Sequence, residues 1–227
     1  MAFDKDGTLF DFQASWGAWC AGFVRDMAGG DEARAEALAR ALGFDRATAT
    51  FERSSLVIAG TMEVVIDATL AAVPDLDAAR LRAHVLASTS AAPQVPAAEL
   101  APLLDRLRAG GLTLGLVTND SAAAAAAHLA AAGVLDRFAF VAGYDSGHGE
   151  KPGPGMLDAF CAAVGLPAGA CAMVGDSAHD IAAGRAAGMT TVGVLTGPAL
   201  AEELAPLADV VLPDIAALPD WLGLPPG

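Results

Sequence analysis

Three times in this chain an apolar run gives way to a short polar segment and then to a helical stretch that a glycine closes. The runs cover residues 112–117, 138–141 and 170–174. The helical stretches cover 121–132, 154–164 and 180–187 and stop at Gly133, Gly165 and Gly188. Glycine in that place accepts the left-handed backbone that ends a helix. Further apolar runs lie at 190–195 and 209–212, a helical stretch lies at 98–109, and Met1-Ala2-Phe3 reads as the end of a buried strand. Strands joined through helices do not pair as hairpins; they form a parallel sheet covered by helices on both faces. The expected fold is therefore α/β, with a doubly wound parallel sheet.

One interval breaks this rhythm. Residues 14–90 carry helical patterns only, at 12–27, 31–42, near 54–73 and at 77–87, before a Ser/Pro-rich linker at 88–96. The expectation is a core of residues 1–13 and 91–227, with 14–90 inserted as an all-helical cap domain.

Composition narrows what such a chain can do. Hydrophobic residues make up 54% of the 227, but alanine supplies much of that share, which suits close-packed helices rather than a membrane span. The longest uncharged apolar stretch, 121–135, is mostly alanine, carries His128 and lies between Asp120 and Asp136. An acidic motif at residue 4 leaves no basic n-region for a signal peptide. Cys20, Cys161 and Cys171 form no CxxC pair and read as reduced thiols of a cytoplasmic protein. A net charge of −14 argues against nucleic acid and anionic membrane as partners, and would repel an anionic substrate unless the site is locally positive. The only two lysines, Lys5 and Lys151, both fall in candidate motifs.

Ligands of an open parallel sheet bind beyond the carboxyl ends of its strands. Read there, the sequence places Asp4 and Asp6 after the first strand, with the Gly7 turn folding Asp6 back beside Asp4. Thr118-Asn119-Asp120 follows the second, Lys151 the third, and Gly175-Asp176-Ser177-Ala178-His179-Asp180 the fourth. One carboxylate can attack while its neighbour moves the proton. Asp4, Asp176 and a backbone carbonyl near Asp6 offer oxygen ligands that suit Mg²⁺. The Thr118 hydroxyl, the Asn119 amide and the Lys151 ammonium could hold the oxygens of a transferring phosphoryl group.

The chain resembles the haloacid dehalogenase superfamily of phosphotransferases through four ordered segments: DKDGTL at 4–9, VTND at 117–120, EKPGPG at 150–155 and GDSAHD at 175–180. Its insert resembles the C1-type cap of phosphoglycolate phosphatase-like members. The resemblance implies a Rossmann-like core and a Mg²⁺-dependent phosphatase acting on a small-molecule phosphate ester, with phosphoglycolate as a guess from cap type. It implies Asp4 as the nucleophile that forms an aspartyl-phosphate and Asp6 as the general acid/base, with Thr118 and Lys151 completing the catalytic set. Phosphate binding would fall to Gly7, Thr118, Asn119 and Lys151. The metal would fall to Asp4, Asp6 through its carbonyl, and Asp176, while Asp180 would support the metal or orient Lys151. A phosphomutase of the β-phosphoglucomutase type shares every one of these segments. A 2-haloacid dehalogenase has no use for Asp6, and a phospho-Asp receiver domain fits neither the D-x-D-G-T spacing nor the insert.

Several residues depart from the pattern or stand outside it. Only three residues precede Asp4, so the first strand is short. Lys5 stands between the two aspartates, where its backbone should matter more than its side chain. His179 is expected to be solvated, and His148 is open to either a site or a surface role. Trp16 and Trp19, three apart on the first insert helix, are expected to pack rather than contact substrate. Arg53, beside Ser54, reads equally as a surface arginine or a contact for an anionic end of the substrate.

Overall fold

The structure is a computed structural model and describes residues 1–58 and 60–225. Six strands form one sheet in the order β5-β4-β1-β6-β7-β8, every neighbouring pair parallel. They are β1 (Ala2–Phe3), β4 (Leu114–Val117), β5 (Phe138–Ala142), β6 (Ala172–Gly175), β7 (Thr190–Val194) and β8 (Val210–Leu212). From β1 the chain builds outward through β4 and β5, then returns to lay β6 on the other side of β1. The direction of winding therefore reverses at the β1/β6 seam, the place where such sheets leave a crevice.

Short as it is, β1 is well tied. Phe3 aligns with Leu116 on one side and Val174 on the other, and Asp4 N donates to Val174 O at 2.8 Å. The terminal ammonium donates to Thr113 O at 2.7 Å. Side chains alternate across the sheet as strand geometry requires. Phe3 and Val174 join a cluster with Leu104, Leu107 and Leu116 on one face, while Ala2 and Met173 join Met156, Leu157 and Phe160 on the other.

Five helices follow the core strands or lead into them: α5 (Leu100–Ala109), α6 (Ala122–Ala131), α7 (Gly155–Val164), α8 (Ala178–Ala187) and the short α9 (Ala201–Leu204); α10 (Leu218–Trp221) closes the described chain. Ser121 caps α6 by accepting from Ala124 N at 3.2 Å, and left-handed Gly165 and Gly188 end α7 and α8.

Between β1 and α5 lie α1 (Phe12–Ala28), α2 (Glu32–Ala41), α3 (Met62–Ala72) and α4 (Ala78–Ser90). Apolar residues recur on α1 at helical spacing: Phe12, Trp16, Cys20, Phe23 and Val24 are all buried. They pack with Leu38, Leu42, Ile66, Leu81 and Val85 into a cluster distinct from those of the sheet. Helical except for one hairpin, the insert pairs β2 (Phe44–Asp45) with β3 (Thr50–Phe51). The two-residue strands are too short to show a period-2 pattern, and α4 runs through Ser90 into what read as linker. The three cysteines are free thiols, and burial pushes Cys20 up to about 12. Among the described residues no helix is long and apolar enough to cross a membrane.

Candidate active site

The ends of β1, β4 and β6 and the loop after β5 converge on one buried ammonium. Lys151 Nζ donates to Asp4 Oδ1 at 2.5 Å, to Asp180 Oδ1 at 2.7 Å and to Val117 O at 3.1 Å. Burial works against the charge on Lys151, but Asp180 and Asp4 outweigh it and hold the group protonated, above the ordinary ammonium range. Asn119 fixes the backbone beneath that lysine: its side-chain amide donates to Lys151 O at 3.0 Å and accepts from Lys151 N at 2.9 Å. The Thr118 hydroxyl is buried and accepts from Asp120 N at 3.1 Å, so its proton remains to be donated.

Asp176 closes the other side. Its Oδ1 accepts from Thr8 Oγ1 at 3.3 Å. Gly7 and Gly197 press on it so closely that a Cβ added to either would stand 2.4 Å or 1.7 Å from Asp176 Oδ2. Gly7 also has a φ of +83°, which favours glycine. Expected to bind phosphate, Gly7 instead has its N–H on Phe10 O at 2.7 Å and its carbonyl on Thr196 Oγ1 at 2.6 Å. It shapes the turn and lets Asp176 approach.

Asp4, Asp176 and Asp180 are buried and each brings an oxygen within 4.8 Å of the others'. Burial pushes Asp4 up to about 7 against the pull of Lys151, and pushes Asp176 well above the carboxylate range, with Asp180 and Asp4 adding to it. Three carboxylates around one ammonium are under-neutralised, and an oxygen-liganded divalent cation fits that deficit. Asp180 is the member whose oxygens the protein already uses: Oδ1 serves Lys151, while Oδ2 accepts from Ser177 N at 3.0 Å and Ser177 Oγ at 2.6 Å in a capping box that starts α8. Of its two expected roles, orienting Lys151 is the one these hydrogen bonds favour.

Lys5 overturns its expectation, because its side chain is fully buried and central. Nζ lies 2.8 Å from Asp6 Oδ1, 3.1 Å from Asp120 Oδ2, 3.0 Å from His128 Nδ1 and 5.1 Å from the Trp16 ring centre. Burial opposes this charge too, but Asp6 and Asp120 hold Lys5 protonated. His128 Nε2 lies 2.8 Å from Thr89 O, so that nitrogen carries the proton and Nδ1 accepts from Lys5. Burial, then the Lys5 charge, keeps the imidazole below its ordinary pKa and neutral. Trp16 Nε1 donates to Asp6 Oδ1 at 2.7 Å. Trp16 thus does more than pack: it reaches from the insert to the acid after β1, and Trp19 lines the same cavity.

His179 is exposed at the cavity rim, as expected, and His148 is exposed and away from the cavity. Arg53 points elsewhere, donating to Glu203 Oε2 at 2.5 Å and to Pro198 O at 3.3 Å. Sequence reasoning missed Thr8, His128 and Thr196. His128 sits inside an alanine run and carried the only signal, as a lone polar residue on an apolar helix.

Comparison with known proteins bears on the family and the fold. The chain is 39% identical to a phosphoglycolate phosphatase of Rhodospirillum rubrum over 148 residues, which is 65% of this chain and 61% of that protein; the match therefore spans less than two thirds of the relative's length. Its fold is similar to the crystal structure of a predicted phosphoglycolate phosphatase from Haemophilus somnus, with a TM-score of 0.75, 20% identity and 97% and 96% of the two chains covered. It is also similar to a β-phosphoglucomutase from Clostridium difficile, with a TM-score of 0.68, 19% identity and 98% and 94% covered. The haloacid dehalogenase-like hydrolase family model matches residues 1–188, and the chain belongs to that family.

Proposed function

We propose that this protein is a Mg²⁺-dependent phosphatase that hydrolyses a phosphate monoester of a small metabolite through a covalent intermediate on Asp4. The insert, residues 14–90, acts in this reading as the cap that covers the core of residues 1–13 and 91–227. The observation that carries the reading is the pair of acids after β1 in unlike surroundings: Asp4 is buried against Lys151, and Asp6 is half-buried and held through Oδ1 by Lys5 and Trp16. Separate environments let two carboxyls take separate tasks.

Asp4 attacks phosphorus, and the ester oxygen leaves with a proton supplied by Asp6. Water then attacks the aspartyl-phosphate, Asp6 takes its proton, and inorganic phosphate departs as the Asp4 carboxylate is restored. Lys151 and the Thr118 hydroxyl hold the equatorial oxygens while charge shifts between attacking and leaving atoms. Asn119 positions Lys151 through its backbone, and Asp180 through its ammonium. Asp4, Asp176 and the Asp6 carbonyl would hold Mg²⁺, which would supply the positive charge that lets a carboxylate approach a phosphate dianion.

The test is phosphate release from p-nitrophenyl phosphate with and without Mg²⁺. Chelation is expected to abolish turnover and added Mg²⁺ to restore it. Asp4→Asn is expected to lower kcat by about 10⁴-fold or more, since without the nucleophile only binding and electrostatic stabilisation remain. Wild-type rates from that variant would end the reading. Isomerised sugar phosphate on addition of a sugar bisphosphate would move the assignment to a mutase.

A further inference from the structure

The insert faces Asp4 with an apolar wall. Phe12, Trp16 and Trp19 of α1, Met62 and Val65 of α3, and Val85 of α4 line it, and every described insert residue on the cavity is uncharged. Its polar side chains are Thr61 and Thr89, and Thr89 Oγ1 is already donated to Val85 O at 2.8 Å. The floor brings five carboxylates, Asp4, Asp6, Asp120, Asp176 and Asp180, against two ammoniums: Lys151 on the cavity itself and Lys5, which is buried behind Asp6 and Asp120. Arg53, the insert cation that the sequence offered for an anionic substrate end, does not line the cavity and is engaged by Glu203 and Pro198.

We infer that the substrate is a phosphate monoester whose alcohol part is uncharged and apolar or aromatic, so that carboxylate-bearing and polyhydroxylated esters are poor substrates. This rests on the phosphatase reading above. The phosphoryl group takes up Lys151, and the leaving group must then extend from Asp6 toward the insert. A carboxylate there would exchange water for indole, thioether and isopropyl groups, with the acidic floor behind it and no Lys or Arg among the described residues of the wall. A sugar would leave most of its hydroxyls without partners on the same wall. An aromatic or branched aliphatic group would replace water against Trp16, Trp19 and Val85. The start of α3, where Thr61 and Met62 line the wall, is a part where backbone N–H groups could take an anion, which makes phosphoglycolate the competitor to use.

The experiment ranks kcat/KM for benzyl phosphate, butyl phosphate, phosphoglycolate and a hexose phosphate at saturating Mg²⁺. Benzyl rather than aryl phosphate keeps the leaving alkoxide as basic as that of its competitors. Benzyl phosphate is expected to exceed phosphoglycolate by about tenfold or more, because even one methylene in an apolar pocket discriminates by about 10- to 200-fold. Trp19→Ala should lower kcat/KM for benzyl phosphate while sparing methyl phosphate, and Val57→Arg, which puts a cation on the same insert wall that Val57 lines, should shift preference toward phosphoglycolate. Arg53→Ala should leave the ranking unchanged. Asp4-dependent turnover with phosphoglycolate or the hexose phosphate at or above benzyl phosphate overturns this inference alone. Turnover of no ester, or turnover that survives in Asp4→Asn, removes the phosphatase reading and this one with it.

Discussion

Floor and roof of the cavity follow opposite rules. The floor stands on strand ends and is largely charged, and its centre is held by hydrogen bonds to elements far away in sequence: Lys151 alone joins Asp4, Val117 and Asp180. The roof stands on helices and is apolar, its residues doubling as the insert's own core. Polar geometry of the first kind tolerates little change, since removing one partner strands another buried charge. Apolar packing of the second kind accepts substitution if volume is kept. In the proposed function, chemistry resides where change is costly, and substrate choice where change is cheap.

The largest structural test of that contrast is Lys5→Met. It fits the space but leaves Asp6 and Asp120 without their cation, and it is expected to destabilise the protein by about 3–5 kcal/mol. At about 2–4 °C per kcal/mol for a chain of this size, Tm should fall by roughly 10 °C. Adding Asp120→Asn should recover part of the loss, and a calorimetric Tm unchanged in Lys5→Met would show that the floor is not the rigid region described here. Leu38→Ala comes next, a fully buried residue of the insert core on which the roof stands, whose truncation should cost about 3 kcal/mol. Hydrogen exchange should then rise across the insert helices while β4 and β6 stay protected, provided the insert holds a core of its own. Equal loosening of the sheet would mean one cooperative unit.

Smallest is the effect expected at an exposed carboxylate that relies on neutral donors. Asp209 Oδ2 accepts from Thr191 N at 2.8 Å and from Thr191 Oγ1 at 2.9 Å, and these bonds hold its pKa below the usual range. A depressed carboxylate stabilises the fold above its unfolded pKa of about 3.9 and loses that contribution as pH falls through the lower folded value. Asp209→Asn should therefore lower Tm slightly at neutral pH, and the gap to wild type should close below about pH 4. A gap that persists in acid would mean that the charge is irrelevant there.

Much of the floor was legible before any coordinates. Asp4, Thr118 and Asp176 announce themselves because a strand period stops at each and a turn or helix signal follows, and Lys151 because it is one of two lysines and lies in the loop after a strand; strand ends are where side chains of a parallel sheet converge. Lys5 is expected to matter through its backbone because its place between two acids on a tight turn says nothing of where its side chain goes, and the fold buries that side chain against His128 of α6. Gly7 was assigned to phosphate because local sequence cannot show that Phe10 and Thr196 already occupy its backbone. Trp16 was read as packing because helical spacing identifies the stripe and not the atom at its tip. The hairpin of Phe44–Asp45 and Thr50–Phe51 was too short to leave a period.

From the chain alone come the alternation that dictates a parallel sheet, the insert after the first strand, and the acids that meet at the sheet's carboxyl edge, since periodicity and turn chemistry are local properties. Tertiary structure alone decided which cation answers which carboxylate, which backbone groups stay available, and that Arg53 turns away while Trp16 turns in. Those outcomes depend on distances between segments more than a hundred residues apart, such as Lys5 and His128 or Asp4 and Lys151. Buried charges pair with whatever the fold brings near, and nothing in the spacing of residues along the chain records that.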